Sequence, residues 1–166
     1  MSVAVVMTGG TIAKTYHPRI GELVNQEPKV ASIISGLRLD GMQIDYVDLM
    51  HRDSLTMDDA ARAEVVSAVR TACRGHDAVL VTHGTDTLAE TARVLCAEFD
   101  SPPVPVVFTC AMVPFVVAGS DAAQNVTEAL LSLRLLPPGA FLVLHNRILA
   151  LPDVAKNFET LTFDEA

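Results

Sequence analysis

Five short apolar runs alternate along the chain with stretches of helical periodicity. The runs lie at residues 3–7, 42–47, 78–81, 104–109 and 140–144, are rich in Val, Leu and Ala, and show little polar alternation. Strands with both faces buried have this composition, whereas strands with one face in water alternate between apolar and polar residues. The pattern therefore predicts a parallel sheet that is covered by helices on both faces.

Four amphipathic stripes fill the intervals between the runs, at residues 30–37, 57–72, 88–99 and 122–136. Apolar residues recur in them every three or four positions, which places those residues on one face of a helix. Thr56 with Asp59, and Thr87 with Glu90, have the spacing of capping boxes at the start of the second and third stripes. Strand followed by helix, repeated along 166 residues, predicts one α/β domain with a doubly wound, mostly parallel sheet in three layers.

Two segments do not follow this alternation of strands and helices. Residues 8–23 are too long for a tight turn between a strand and a helix, and they contain polar, Pro and Gly residues. We therefore expect a mobile loop or a hairpin over the end of the sheet. The domain is expected to span residues 1–163, with residues 164–166 as a short acidic tail.

Charge and composition argue against several classes of function. The chain carries 20 Asp and Glu against 12 Lys and Arg, a formal charge of −8, whereas nucleic acids and anionic membranes bind basic surfaces. No apolar run reaches the 18 residues that a membrane-spanning helix needs. The first apolar run has no basic stretch before it, and the three cysteines form no C-x-x-C pair, so we expect a cytoplasmic protein.

Several cofactor and metal motifs are missing from the sequence. No G-x-G-x-x-G, no G-x-x-x-x-G-K-[ST] and no G-x-S-x-G pattern occurs, which argues against a dinucleotide site, a phosphate-binding loop and a serine nucleophile elbow. The five histidines lack the spacing of metal ligands. We therefore expect neither a nucleotide site nor a metal site.

Two Gly-Thr turns follow the first and third runs, with the sequences T-G-G-T-I-A at residues 8–13 and T-H-G-T-D-T at residues 82–87. Ligands of open α/β sheets bind at the carboxyl ends of the strands, where these turns lie. Glycine brings bare N–H groups close to a ligand, and a neighbouring threonine hydroxyl can attack a carbonyl whose oxyanion those groups hold. Such a hydroxyl needs a base. Lys156, one of only three lysines, can serve Thr85 in that role, with Asp86 holding Lys156 or a substrate ammonium.

Helix capping explains part of the second turn equally well. Thr85, Asp86 and Thr87 precede the third helical stripe, and Thr and Asp are among the preferred residues at helix N-termini. From spacing alone, capping and catalysis are equal alternatives for these three residues.

The two turns together resemble the signature motifs T-G-G-T-I-A and T-H-G-T-D-T of the bacterial-type (type I/II) L-asparaginase family. Two looser matches follow: residues 111–114 are similar to the family's G-A-M-R-P segment, and residues 153–156 to its D-V-x-K segment. The resemblance covers residues 7–163 and implies the N-terminal domain of the asparaginase fold, a flavodoxin-like three-layer architecture. It also implies hydrolysis of the side-chain amide of L-asparagine to L-aspartate and ammonia, without a cofactor.

The resemblance further implies roles for individual residues. Thr11 would be the primary nucleophile, Tyr16 on the loop would activate it, and Thr85, Asp86 and Lys156 would form a second catalytic group. Asp86 would also hold the substrate's α-amino group, and Arg52 suits its α-carboxylate. The full set of implied substrate-binding residues is Gly10, Gly84, Thr85, Asp86, Ala111 and, after the second run, one or more of Arg52, Asp53 and Ser54.

Departures from the family pattern leave alternatives open. Cys110 stands where relatives have Gly, Val113 stands where they have Arg, and the resemblance covers only the first of the family's two domains. Family members are usually dimers or tetramers, so we expect a homodimer or homotetramer. A glutaminase or related amidase is one alternative, because one methylene is worth only about 1–3 kcal/mol of discrimination. A non-catalytic domain that binds asparagine or aspartate is another.

Overall fold

The computed structural model describes residues 1–99 and 101–166, and within these ranges the chain forms ten β-strands and four α-helices. The strands are β1 Ser2–Gly9, β2 Lys14–His17, β3 Glu22–Asn25, β4 Gln43–Arg52, β5 Ala78–Thr82, β6 Pro105–Thr109, β7 Gly139–Leu144, β8 Arg147–Ala150, β9 Val154–Asn157 and β10 Thr162–Glu165. The α-helices are α1 Val30–Ser35, α2 Asp59–Ala72, α3 Leu88–Glu98 and α4 Ala122–Ser132. Two 3₁₀ turns lie at Thr11–Ala13 and Ser54–Thr56. None of the described helices is long and apolar enough to cross a membrane.

Six strands form the central sheet in the order β4-β1-β5-β6-β7-β8. The first five of these strands are parallel, and β8 joins the edge of β7 in antiparallel orientation. The predicted doubly wound, mostly parallel sheet is confirmed. Because parallel strands point the same way, the turns that follow β1, β4, β5 and β6 all lie along one edge of this sheet.

The core has two halves, one on each face of the sheet. Val3 and Val5 of β1 pack in the half that contains α1 and α4, while Ala4 and Val6 pack in the half that contains α2 and α3. All four side chains are fully buried. This double burial is the physical reason why the runs of the central strands are continuously apolar.

The second predicted strand differs from this pattern because β4 is an edge strand. It pairs only with β1, and its residues alternate irregularly between exposed and half-buried positions. Tyr46, in the middle of β4, is 44% exposed. A strand with one free edge needs less apolar sequence than the central strands do.

Both predicted capping boxes are wrong at the level of side-chain contacts. Helix α2 is capped by Asp58, whose carboxylate accepts a hydrogen bond of 2.8 Å from the Ala61 N–H, while Thr56 belongs to the preceding 3₁₀ turn. At the start of α3, the Thr87 side chain makes no capping bond. Its hydroxyl donates instead to the Ser54 carbonyl at 2.8 Å, because the turn after β4 packs against the turn after β5.

Two small antiparallel hairpins lie outside the central sheet. Strands β2 and β3 pair within the segment after β1. Of the two predicted forms of this segment, a mobile loop or a hairpin, it therefore adopts the hairpin. Strands β9 and β10 form the second hairpin, and the Phe163 side chain anchors it in the core. Asp164 and Glu165, which the sequence assigned to a tail, extend β10 by pairing with Ala155 and Val154.

The N-terminal cap of α2 can be tested by comparing Asp58→Ala with Asp59→Ala. We expect Asp58→Ala to lower the free energy of unfolding by about 1 kcal/mol, because the Ala61 N–H loses its acceptor. Asp59→Ala removes the same charge from the first turn without removing a cap, so its effect is less than half as large. Urea unfolding followed by circular dichroism measures both. Equal losses would show that charge at the helix end, and not the capping bond, is responsible.

Candidate active site

Three turns meet at the carboxyl edge of the sheet. The Gly10 N–H, after β1, donates to the Arg52 carbonyl at the end of β4 with a length of 2.9 Å. A Cβ atom built on Gly10 would overlap the Gly84 Cα atom, and one built on Gly84 would lie 2.6 Å from the Ser54 Cβ and Oγ atoms. The backbones after β1, β4 and β5 are therefore in direct contact, at distances that only glycine permits at positions 10 and 84.

The two Gly-Thr turns lie side by side as a consequence. Thr11 follows Gly10 and Thr85 follows Gly84, so the two threonines flank the same backbone contact. Just before the turns, the Thr8 hydroxyl donates to the Thr82 carbonyl at 2.9 Å and joins the ends of β1 and β5. The sequence expectation that both turns contribute to one site agrees with this geometry.

Lys156 reaches the second turn from the β9–β10 hairpin. Its Nζ atom donates to Thr85 Oγ1 at 2.8 Å and to Asp86 Oδ1 at 2.6 Å. The Phe158 ring packs over the ammonium, with its centroid 4.9 Å from Nζ. These contacts leave the Lys156 side chain only 13% exposed. The fold thus brings the Lys156 amine to the hydroxyl and carboxylate of two adjacent residues that lie 71 and 70 positions earlier in the chain.

Capping does not account for Thr85 and Asp86. Helix α3 begins at Leu88, after the Thr87 position, and no side chain caps its first N–H groups. The side-chain hydrogen bonds of Thr85 and Asp86 connect them to Lys156 instead. The arrangement favours the chemical interpretation of this turn.

The three candidate substrate-binding residues at the end of β4, Arg52, Asp53 and Ser54, have different surroundings. Ser54 is buried against Gly84, and its Oγ atom accepts a hydrogen bond of 3.4 Å from the Thr87 N–H. The Asp53 carboxylate pairs with Lys14 at 2.7 Å, and this hydrogen bond lowers the pKa of Asp53. The Arg52 guanidinium extends toward Asp58, 3.8 Å away. Ser54 therefore adjoins the contact between the turns, Asp53 is paired with Lys14 of β2, and Arg52 reaches the contact through its backbone.

An open cleft of about 470 Å³ lies between the β2–β3 hairpin and the end of β4. Lys14 and Asp53, which form the ion pair, line one part of it, and Asn25 and His51 line another. A larger cleft of about 620 Å³ lies elsewhere, near Gly139 at the amino end of β7. Thr11, Thr85, Asp86 and Lys156 are not among the residues that line either cleft.

Tyr16 and Ala111 differ in their exposure to solvent. Tyr16 lies on β2 of the hairpin that follows Thr11, and its side chain is 61% exposed. Within residues 1–99 and 101–166 its hydroxyl makes no hydrogen bond to Thr11. Ala111 is fully buried in the core, so only its backbone is available to a ligand.

The turn after β6 is held by residues that the sequence patterns did not single out. The Asp121 carboxylate accepts hydrogen bonds from the Met112 and Val113 N–H groups, and Asn125 donates to the Cys110 carbonyl at 2.9 Å. The Asp-x-x-x-Asn spacing at the start of α4 is the signal that points to this pair, because it places both side chains on one helix face. Cys110 is fully buried, and this burial raises the pKa of its thiol.

The sequence patterns also did not single out His83, which lies between Thr82 and Gly84 in the second turn. Its side chain is fully buried, with Nδ1 2.8 Å from the Gly84 carbonyl and Nε2 2.9 Å from the Thr91 hydroxyl. Burial lowers the pKa of His83 to about 4, and the positive charge of Arg62 acts in the same direction. His83 is therefore neutral at pH 7.

The described part of the chain, residues 1–99 and 101–166, contains no group of three His, Cys, Asp or Glu side chains arranged for a metal ion. The functional groups at the three turns are hydroxyls, an amine, carboxylates and backbone N–H groups. A hydroxyl in such a set can attack a carbonyl carbon, and the neighbouring groups can transfer protons to or from the reacting atoms.

Comparisons with known proteins give a matching family profile, similar sequences and similar structures. The family profile described as "Asparaginase, N-terminal" matches residues 2–164. The chain is 31% identical over 156 residues to the L-asparaginase of Thermococcus kodakarensis, covering 94% of this chain and 48% of the relative. The structure of the thermostable L-asparaginase from that organism superposes with a TM-score of 0.89 and 30% identity, covering 99% of this chain and 51% of the other.

The chain is also similar to a second kind of protein. The chain is 33% identical over 129 residues to one of the subunits of the glutamyl-tRNA(Gln) amidotransferase of Methanosarcina barkeri, covering 74% of this chain and 27% of the relative. The chain thus spans about half the length of the L-asparaginase and a smaller part of the amidotransferase polypeptide.

The contact between the glycine turns can be tested with Gly10→Ala and a matched control, Gly21→Ala. Both glycines have positive φ angles, +80° and +72°, but no atom lies within 4 Å of a Cβ built on Gly21. We expect the control to cost about 1 kcal/mol of stability from backbone strain alone. Gly10→Ala should cost about 1–3 kcal/mol more, because its Cβ pushes two backbones apart. Thermal and urea unfolding measure the difference, and equal losses would contradict a tight contact.

Burial of His83 predicts a loss of stability in acid. Its folded pKa of about 4 lies below the value of about 6.5 for an unfolded histidine, so between these values the unfolded chain binds more protons and stability falls as the pH falls. From pH 7 to pH 4.5 this residue alone removes about 2 kcal/mol. We expect the stability difference between the wild type and His83→Asn to shrink by this amount at pH 4.5. An unchanged difference would mean that His83 titrates normally in the folded chain.

Proposed function

The chain belongs to the asparaginase family, and we propose that it hydrolyses the side-chain amide of L-asparagine to L-aspartate and ammonia. The observation that carries the proposal is the hydrogen-bonded set of Thr85, Lys156 and Asp86 beside the contact between Gly10 and Gly84. This set supplies a nucleophile, a proton carrier and an anchor for a cation at one place on the sheet edge.

Thr11 is the proposed primary nucleophile. Its hydroxyl oxygen attacks the carbon of the carboxamide, and the electron pair of the C=O bond moves to the oxygen. Backbone N–H groups of the glycine turns hold that oxyanion. When the C–N bond breaks, the hydroxyl proton of Thr11 passes to the leaving nitrogen, and ammonia departs. Tyr16, on the hairpin that follows Thr11, is the proposed group that relays this proton.

Thr85, Lys156 and Asp86 serve the second half of the reaction. Lys156 lies 2.8 Å from the Thr85 hydroxyl, a distance at which a proton passes between amine and hydroxyl. For this step Lys156 is in its neutral amine form: Thr85 takes a proton from the water that attacks the acyl carbon and passes its own hydroxyl proton to Nζ of Lys156. That proton then goes to the Thr11 oxygen as the acyl C–O bond breaks, and aspartate and a free Thr11 hydroxyl result. Asp86 and the Phe158 ring keep the Lys156 side chain in place.

Substrate binding uses the polar groups around the contact. The Asp86 carboxylate is the proposed anchor of the α-amino group, through the oxygen that Lys156 does not bind. We assign the backbones of Gly10, Gly84 and Ala111 to the binding of the carboxamide, and Ser54 and Asp53 to the other end of the substrate. The lowered pKa of Asp53 keeps that carboxylate ionised at neutral pH. The Arg52 guanidinium lies farther out, near Asp58, where it suits an α-carboxylate only after moving.

A related amidase is the second candidate, because an amidotransferase polypeptide is among the relatives. The formal charge of −8 disfavours direct contact of this chain with RNA. Glutamine differs from asparagine by one methylene, so the same residues suit both amides.

We also propose a cytoplasmic homodimer or homotetramer. Three cysteines without disulfide bonds support a reducing compartment. Leu131, Leu135 and Ile148 support self-association, because they are 59%, 73% and 50% exposed and line one surface groove.

Ammonia release from L-asparagine tests the reaction. We expect Thr11→Ala, Thr85→Ala and Lys156→Met each to lower kcat by about 10²–10⁴, because each removes a group that attacks or moves a proton. Thr127→Ala, on the exposed face of α4, and Lys29→Met, which breaks an ion pair with Glu27, are matched controls that should keep the wild-type rate.

Three outcomes would count against the proposal. Full activity of all three site variants would place the chemistry elsewhere. A higher kcat/KM for L-glutamine than for L-asparagine would select the glutaminase alternative. Calorimetric binding of asparagine without ammonia release would identify a binding domain instead of an enzyme.

A further inference from the structure

His83, in the second turn, has no role in the proposed reaction. His83 lies two residues before Thr85, and its ring is fully buried. The ring lies between Gly84 and Thr91 of α3, and its centroid is 6.2 Å from that of Phe108 on β6. A buried imidazole next to a catalytic turn therefore connects that turn to a helix.

The two hydrogen bonds determine the tautomer of this imidazole. The Gly84 carbonyl can only accept, so the proton of the neutral ring is on Nδ1. Nε2 is then an acceptor, and the Thr91 hydroxyl, 2.9 Å away, donates to it. Burial keeps the ring neutral, and both nitrogens are used. The ring is held in one tautomer and one orientation.

This imidazole controls the direction of the next peptide group. The Gly84 carbonyl and the Thr85 N–H belong to one planar trans peptide, in which they point in opposite directions. Because the carbonyl points to the buried His83 ring, the Thr85 N–H points away from it. Among residues 1–99 and 101–166, no acceptor takes a hydrogen bond from this N–H, although Thr85 is only 3% exposed.

Gly84 itself does little to prevent rotation of the Gly84–Thr85 peptide group. It has no side chain, and its contacts with Gly10 and Ser54 hold the position of its Cα and not the tilt of its carbonyl. The hydrogen bond from Nδ1 is the contact that holds the carbonyl. Loss of that bond would let the N–H and the hydroxyl of Thr85 turn away from the substrate.

We propose that His83 is a positioning residue: its Nδ1–H, held by Thr91, fixes the Gly84–Thr85 peptide and so aims the Thr85 N–H at the oxyanion of the amide. The inference rests on the proposed function. It assigns His83 no contact with the substrate and no proton transfer, and it makes Thr91 a second positioning residue.

The kinetic test uses His83→Leu and His83→Asn. Leucine fills the space without a donor, and we expect kcat for asparagine to fall about 10²–10³-fold, the loss typical of a missing oxyanion donor, while KM changes less than about threefold. Asparagine places an amide N–H near the position of Nδ1 and should recover at least about tenfold of that loss. If His83→Leu lowers the melting temperature but leaves kcat within about threefold of the wild type, His83 only packs the core and the proposal is overturned.

Thr91 provides an independent pair of variants. Thr91→Val removes the donor to Nε2 and should lower kcat about tenfold, because the imidazole is then free to change tautomer or rotate. Thr91→Ser keeps the hydroxyl and should recover most of that loss. Equal kcat values for the two variants would contradict the role of this hydrogen bond.

A measurement that does not depend on turnover separates this inference from the proposed function. In ¹⁵N-labelled wild type, the ring nitrogens of His83 should report the Nδ1–H tautomer from about pH 5 to about pH 9, and the Thr85 amide resonance should shift on addition of L-aspartate. His83→Leu should abolish that shift. A wild type that releases no ammonia but shows these signals contradicts the proposed function alone, whereas an Nε2–H tautomer, or an aspartate shift that persists in His83→Leu, overturns the positioning role.

Discussion

The backbone contact between Gly10 and Gly84 is the constraint on which the site depends. Atoms of two separate turns approach so closely that a single added methyl group would overlap a neighbouring backbone. This close approach requires that both strands end at the same edge of the sheet and that the residues in contact carry no side chain. The sheet supplies the first condition through the pairing of β1 with β5, and the two glycines supply the second.

The rest of the site is attached to this contact by polar side chains. Ser54 lies against Gly84 from the turn after β4, and Lys156 reaches Thr85 from a hairpin outside the central sheet. His83 faces the opposite way and connects the same turn to α3 through Thr91. The second turn is therefore held from both sides, by a partly buried ion pair toward the solvent and by a neutral imidazole in the core. Such support from neighbouring side chains is what keeps reactive groups in a fixed geometry.

Several elements could be predicted because their sequence signals are local. The continuous apolar runs of β1 and β5 predict strands with two buried faces, and both strands have them. The signal was weaker for β4, since an edge strand has one side without a partner and tolerates polar residues. Capping residues were misassigned because Thr87 hydrogen-bonds to Ser54, a residue of a different turn, and no local rule describes that competition.

The sequence alone determined the sheet class, the two glycine turns at its carboxyl edge and the threonines beside them, because strand burial and turn formation depend on residues a few positions apart. Only the tertiary structure decided that Lys156 bonds both Thr85 and Asp86, that Ser54 adjoins the turns while the Arg52 guanidinium extends away, and that His83 is buried in one tautomer. The physical reason is distance along the chain. Lys156 and Thr85 are 71 residues apart, and no periodicity of the sequence connects side chains that meet only when the sheet has formed.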